Sequence, residues 1–171
     1  MPGFHVNDLK NNTGAYARGY LFNVYFDAAP VGGLIGGESQ TAYLVRSSSL
    51  PAGSIDPIEV PWQGQTYQIG STHSYDTWSC TFNVDRFANV RKNMEEWQRQ
   101  VHDPSSNIQG IPSVYFGIVK VELLDVVSDP VMIYTLNQAW PSEVGTADVA
   151  HDNKDVLQFD VTFTYNWHTS V

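Results

Sequence analysis

Apolar and polar residues alternate over much of this chain, and a period of two is the signature of β-strands with one buried face. The last such stretch, Val156 to His168, sends Leu157, Phe159, Val161, Phe163, Tyr165 and Trp167 to one side. Gln158, Asp160, Thr162, Thr164, Asn166 and His168 go to the other. Asp76 to Val84 likewise sets Trp78, Cys80, Phe82 and Val84 opposite Thr77, Ser79, Thr81 and Asn83. Gly19 to Asp27 puts Tyr20, Phe22, Val24 and Phe26 on one face, and Thr41 to Arg46, Val114 to Asp125 and Val131 to Gln138 add further strands. Between them, Ala28 to Gln40 with its four glycines reads as a flexible loop, 103–113 as a polar loop and Ala139 to Gly145 as a turn.

The period changes to that of a helix in one place. Phe87, Val90, Met94, Trp97 and Val101 recur at spacings of three and four, which makes a single apolar stripe over 86–102. Asp85 is placed to cap its start, and His102-Asp103-Pro104 stops it. The repeat is too short for a coiled coil, so the stripe is expected to pack on a sheet. The chain therefore reads as mainly β with one α-helix, an antiparallel barrel or sandwich. Residues 1–18 are expected to be an arm that orders against a partner, and 19–171 a single domain.

Residues 50–70 stand apart. They keep β-type residues between Pro51, Pro57 and Pro61, and proline cannot donate to a sheet ladder. Such an arm belongs at a sheet edge or projects from it, and a long exposed edge invites pairing with another chain. Its simplest cover is a second copy of the same protein, with Trp62 and Tyr67 as anchors.

Charge narrows the partners. The formal net charge is -9, and 86–102 carries four basic residues against two acidic, leaving five basic and 16 acidic elsewhere. That surface repels phosphate and argues against a protein that grips nucleic acid. Aromatic residues make up 13% of the chain, more than one small core uses, which points to rings at interfaces. Cys80 is the only cysteine, so no intrachain disulfide forms; on its strand it reads as a small core residue. The first residues lack the pattern of a signal peptide, and no apolar run reaches bilayer length. The expectation is a soluble protein folded in a cytoplasm.

No chemistry is expected. Ser71, His73 and Asp76 are near in sequence, but a triad is defined by geometry, and these residues fit turn polarity. Gly32 to Ser39 has the spacing of a phosphate loop with Glu38 where that motif requires lysine. The five histidines, at 5, 73, 102, 151 and 168, lack metal-ligand spacing. Neither metal nor cofactor is expected. Trp62 and Tyr67 could alternatively form a sugar-binding platform, the reading of a carbohydrate- or receptor-binding β-module.

Five pieces in order carry a family resemblance: Leu50-Pro51-Ala52-Gly53, Tyr75-Asp76-Thr77-Trp78, Glu95-Glu96-Trp97, Ala139-Trp140-Pro141-Ser142-Glu143-Val144-Gly145, and Val156 to Phe163. Together they resemble the tail tube proteins of contractile-tailed bacteriophages, over roughly residues 18–168. The Gly-rich loop at 31–37 and the N-terminal arm depart from that pattern. The resemblance implies hexameric rings whose strands join into one barrel around a channel, stacked as the inner tube of a virion tail assembled in the host cytoplasm. Sheath, baseplate and tail terminator proteins would be its partners, and DNA would pass through without specific binding. The fold is shared by haemolysin-coregulated proteins of type VI secretion systems and by phage-like injection systems, so the resemblance leaves a tube protein of such a system as the alternative. Phe4, Tyr16, Leu50, Pro51, Trp62 and Tyr67 are then the expected contacts between subunits. Glu122 and Asp160 are expected to face the lumen, and the helix is expected on the outer wall with its basic face outward.

Overall fold

The computed structural model describes residues 16–27, 29, 43–152 and 154–171. Strands β1 (Phe22–Phe26), β2 (Val45–Ser48), β3 (Gly53–Trp62), β4 (Gln65–Tyr75) and β5 (Trp78–Asn83) come first. Helix α1 (Asn89–Val101) follows, then a small ladder of β6 (His102–Asp103) with β7 (Ile108–Gln109) and the single-turn α2 (Pro112–Tyr115). The chain ends with β8 (Gly117–Leu124), β9 (Pro130–Val144), β10 (Gln158–Thr164) and β11 (Trp167–Ser170). The expected β-rich, antiparallel architecture is what the chain adopts.

Two layers share strand β9. Its first half pairs with β8, which pairs with β1, while β11 lies on its other side. Its second half pairs with β10, then β5 and β2. The change of layer falls at Gln138, an extra residue in the ladder with φ 54°. A bulge bends and twists a strand, and here it lets one strand serve both sheets. The Trp140-Pro141 segment, expected as a turn, is strand beyond this bend; proline is tolerated because Pro141 lies at an irregularity of the β9–β10 ladder. Within the described residues the path runs from β1 to β2 and does not close on itself.

The core lies between the layers. Val24 and Phe26 of β1, Val119 and Val121 of β8 and Leu136 of β9 face Phe82, Phe159, Val161 and Phe163. Phe26 joins the sheets directly, its ring 5.9 Å from Phe82 and 5.7 Å from Phe163. Cys80 is buried there as expected.

Helix α1 buries Val90, Met94 and Trp97 on the same core, with Trp97 Nε1 donating to the Tyr115 carbonyl at 2.7 Å. Val101 is half-buried at its end. Phe87, expected in the stripe, lies before the helix and is 66% exposed beneath the Arg86 guanidinium. The reason is local. Ala88 takes a left-handed conformation, φ 53°, and the helix begins after it. Asp85 still caps the helix from further back: its carboxylate accepts from Val90 N at 3.3 Å and from Asn89 Nδ2 at 3.1 Å. Past the helix, Gly110 N donates to the Val101 carbonyl, and a Cβ at Gly110 would fall 1.9 Å from the Gln100 carbonyl oxygen. Only glycine lets the chain double back there.

The final alternating stretch is broken as well. β10 ends at Thr164, the chain turns at Tyr165–Asn166, and β11 crosses to the other layer beside β9. Tyr165 stays buried, but Trp167 is exposed and His168 turns inward.

Candidate functional site

Two surfaces are left over once the core is filled. The first is hairpin β3–β4, which projects from the body. Gln63 and Gly64 both have positive φ, 45° and 80°, as a two-residue hairpin turn requires. The register pairs Ile58 with Ile69 and Val60 with Tyr67, and places Trp62 against Gln65. Alternation therefore gathers Ile58, Val60, Trp62, Tyr67 and Ile69 on one face, while Glu59, Pro57 and Pro61 take the other. Every residue of β3 is exposed, with Trp62 at 70% and Tyr67 at 66%. This is a continuous apolar stripe on a ribbon too thin to cover it. Leu50, exposed, and Pro51, half-buried, lie at its root. Tyr16 is exposed at the start of the described residues, and Phe4 lies outside them.

The second surface is the outer face of the β2–β5–β10–β9 sheet. Its inner face is covered by α1 and the β1–β8–β9 layer, through Trp97 against Phe163 at 5.8 Å and Phe26 against Phe82. Its outer face carries Ser79, Thr81 and Asn83 of β5, Asp160 and Thr162 of β10, and Glu143 opposite Thr162 on β9. Thr81 Oγ1 donates to Asp160 Oδ1 at 2.6 Å across the strands. A recess of about 1000 Å³ opens on this face, where Arg46 is set against Asp148, Asp155 and Asp160. The face is polar and net acidic, and no described residue covers it with an apolar layer. Burial pushes the Cys80 thiol well above its ordinary pKa, and Asp160 pushes it further in the same direction.

Asp160 thus lies on an open polar face as its alternation requires. Glu122 sits elsewhere, on the outer face of the other layer, where β8 pairs Asn23 with Glu122 and Glu122 with Ile133. The two carboxylates occupy opposite outsides of the sandwich, and a single flat wall takes one of them. Glu143 is the acidic neighbour of Asp160 that sequence reasoning missed, because it falls in the segment read as a turn. Arg91 was also missed: it bridges Glu95 at 2.9 Å, donates to the Gly145 carbonyl at 3.1 Å and lies over Phe159, tying α1 to the end of β9. Its signal was present only as one charge of the helix face.

Ser71 and His73 are part of strand β4 rather than of a turn, and His73 contacts Tyr75. Among the described residues no group of three His, Cys, Asp or Glu is arranged to hold a metal. No described helix is long and apolar enough to cross a membrane. The glycine loop 31–37 lies outside the described residues.

Comparison with known proteins places these surfaces in context. A family model described as phage tail tube protein matches residues 21–171. The chain is 30% identical over 107 residues to a tail tube protein of Serratia phage KSP90, a match spanning 62% of this chain and 60% of that protein. It is 25% identical over 170 residues to tail tube protein gp19 of Enterobacteria phage T4, covering 95% of this chain and 98% of that one. Among solved structures, a chain of the sheath–tube complex of the extracellular contractile injection system PVC superposes with a TM-score of 0.66 at 12% identity, over 99% of each chain. A chain of the anti-feeding prophage baseplate gives 0.69 at 15% identity, over 92% of this chain and 97% of that one.

Proposed function

Since this chain belongs to the phage tail tube protein family, we propose that it polymerises as hexameric rings stacked into the inner tube of a contractile tail, without catalysis of its own. The observation that carries this reading is the asymmetry of the β2–β5–β10–β9 sheet. One face is sealed by helix and sheet; the other, among the described residues, is bare, polar and acidic. A bare polar face on a buried sheet suits the wall of a water-filled channel, with Ser79, Thr81, Asp160, Thr162 and Glu143 lining it and α1 on the far side of the wall. The basic residues of α1 would then meet a surrounding sheath.

The ends of the strand path support the same reading. Among the described residues the strand path ends at β1 and β2, which leaves ladder groups for another chain, and closure of six copies into one barrel removes those edges. The hairpin supplies the complementary contact, its apolar stripe seated on a neighbouring subunit or ring. An acidic wall repels the phosphates of a passing duplex, so DNA moves without binding and ejection is not retarded. Sheath, baseplate and terminator proteins are the partners this placement calls for.

Cryo-electron microscopy of tubes assembled from the purified chain is the test. It should show six subunits per ring, with Asp160 and Thr162 on the channel surface and α1 outside. A reconstruction with that sheet face turned outward, or a channel lined by Arg and Lys, overturns the assignment. Cargo is read separately: tubes carrying Asp160→Lys and Glu143→Lys should retain short duplex DNA in a salt-dependent manner, whereas wild-type tubes should not.

A further inference from the structure

Among the described residues, hairpin β3–β4 is held to the body near its root, and the groups gathered there are unusual. Ala52 O accepts from Asp76 N and from Tyr165 Oη, both at 3.2 Å. Beside this junction a chain of rings crosses from the hairpin to the body. On the hairpin, His73 lies 4.4 Å from Tyr75, with its Nδ1 3.3 Å from the Tyr75 hydroxyl. Tyr75 then meets His168 of β11 edge-on at 5.1 Å and Tyr165 at 5.9 Å. His168 in turn packs against Tyr165 and Tyr134, each at 5.9 Å. The fit is close: a Cβ at Gly53 would fall 2.8 Å from His73 Nε2, so the imidazole rests directly on the glycine backbone.

Nδ1 of His168 is buried and has no hydrogen-bond partner among the described residues. A neutral imidazole tolerates this by leaving that nitrogen unprotonated; an imidazolium carries N–H on both nitrogens and would bury an unsatisfied donor. We infer that the His73–Tyr75–His168 cluster is a protonation-sensitive hinge, which fixes the angle of the hairpin while the His168 imidazole is neutral and frees it when that ring takes up a proton.

The groups facing His168 are His73, Tyr75 and, beyond them, Asp76 on the hairpin side, with Tyr134 and Tyr165 on the body side. Tyr165 is pushed above the ordinary phenol value by burial, then by Asp76 and Tyr75. Between about pH 5 and pH 8 imidazole is the side chain that changes charge, and on His168 that charge would add a donor at the buried, unpartnered Nδ1. Burial and then the neighbouring His73 lower the pKa of His168. A histidine with a lowered pKa in the docked state stays neutral there, so docking is fully present above the ordinary histidine pKa and weakens as pH falls below it.

The consequence for assembly rests on the hairpin being the assembly arm; the hinge itself does not. Spin labels at Gln65→Cys on the arm and Val126→Cys on the β8–β9 turn report the arm angle in the full chain, since Cys80 is buried and spared. Pulsed dipolar spectroscopy at about pH 7.5 should give one narrow distance, and at about pH 5 a second population of comparable size. His168→Gln should hold the narrow distribution at both values, and His73→Gln should reduce the response. An unchanged wild-type distribution overturns the hinge, as does a response that persists undiminished in both variants. A hinge that responds in a protein whose tubes form regardless of Trp62 would instead count against the arm reading.

Discussion

Truncating Trp62 to alanine separates folding from assembly in one substitution. In the single chain the indole is 70% exposed and its cross-strand partner is Gln65. A tryptophan has roughly 200 Å² to bury, so about 140 Å² of it remains available to a neighbouring copy. At about 25 cal/mol per Å² that is roughly 3.5 kcal/mol, and imperfect burial brings the expected loss to about 2–3 kcal/mol for each subunit added. The concentration at which tubes appear should then rise by roughly 30- to 150-fold. The monomer should lose less than about 0.5 kcal/mol, because the ring packs on little within its own chain. Sedimentation across a dilution series measures the first quantity and urea unfolding of dilute monomer the second. A critical concentration within about threefold of wild type refutes the reasoning. So does a monomer destabilised in proportion to the assembly defect, since Trp62 would then be part of the fold.

Three further outcomes follow from the core and its caps. Trp97→Phe removes the donor to the Tyr115 carbonyl inside the core and should cost about 2–4 kcal/mol in denaturant unfolding, with tubes still forming where the monomer is folded. Asp85→Ala should lower stability by about 1 kcal/mol, and Phe87→Ser should be nearly silent, a pair that distinguishes the distant cap from the expected stripe. Cys80 should resist a thiol reagent near pH 8 in the native protein and react at once in denaturant, because burial and Asp160 both keep the thiol protonated. Prompt reaction in the native state would show that the β5–β10 sheet opens readily.

The strands were legible where one face is buried and the other wet, because a period of two follows from the pleat alone. Val24, Phe82, Phe159 and Phe163 declared themselves in that way, as did the helix through Val90, Met94 and Trp97. The projecting hairpin was legible for another local reason: prolines at Pro57 and Pro61 exclude a central strand, whatever the rest of the chain does. What failed were the places where a strand or helix departs from its own period. The bulge at Gln138 carries β9 through a Trp-Pro segment that looks like a turn, and the turn at Tyr165–Asn166 sends His168 inward against the alternation. Ala88 removes Phe87 from a stripe whose spacing includes it. The first two departures depend on partners distant in sequence, which a local pattern does not contain, and the third on a left-handed backbone at Ala88 that apolar spacing does not record. An alternating strand also fits either orientation, so the sequence could pair Asp160 with Glu122 as channel residues. Only the packing of α1 and the β1–β8–β9 layer on one face of the β2–β5–β10–β9 sheet decided which face was left bare. That packing set Asp160 beside Glu143 and put Glu122 on the far side of the molecule.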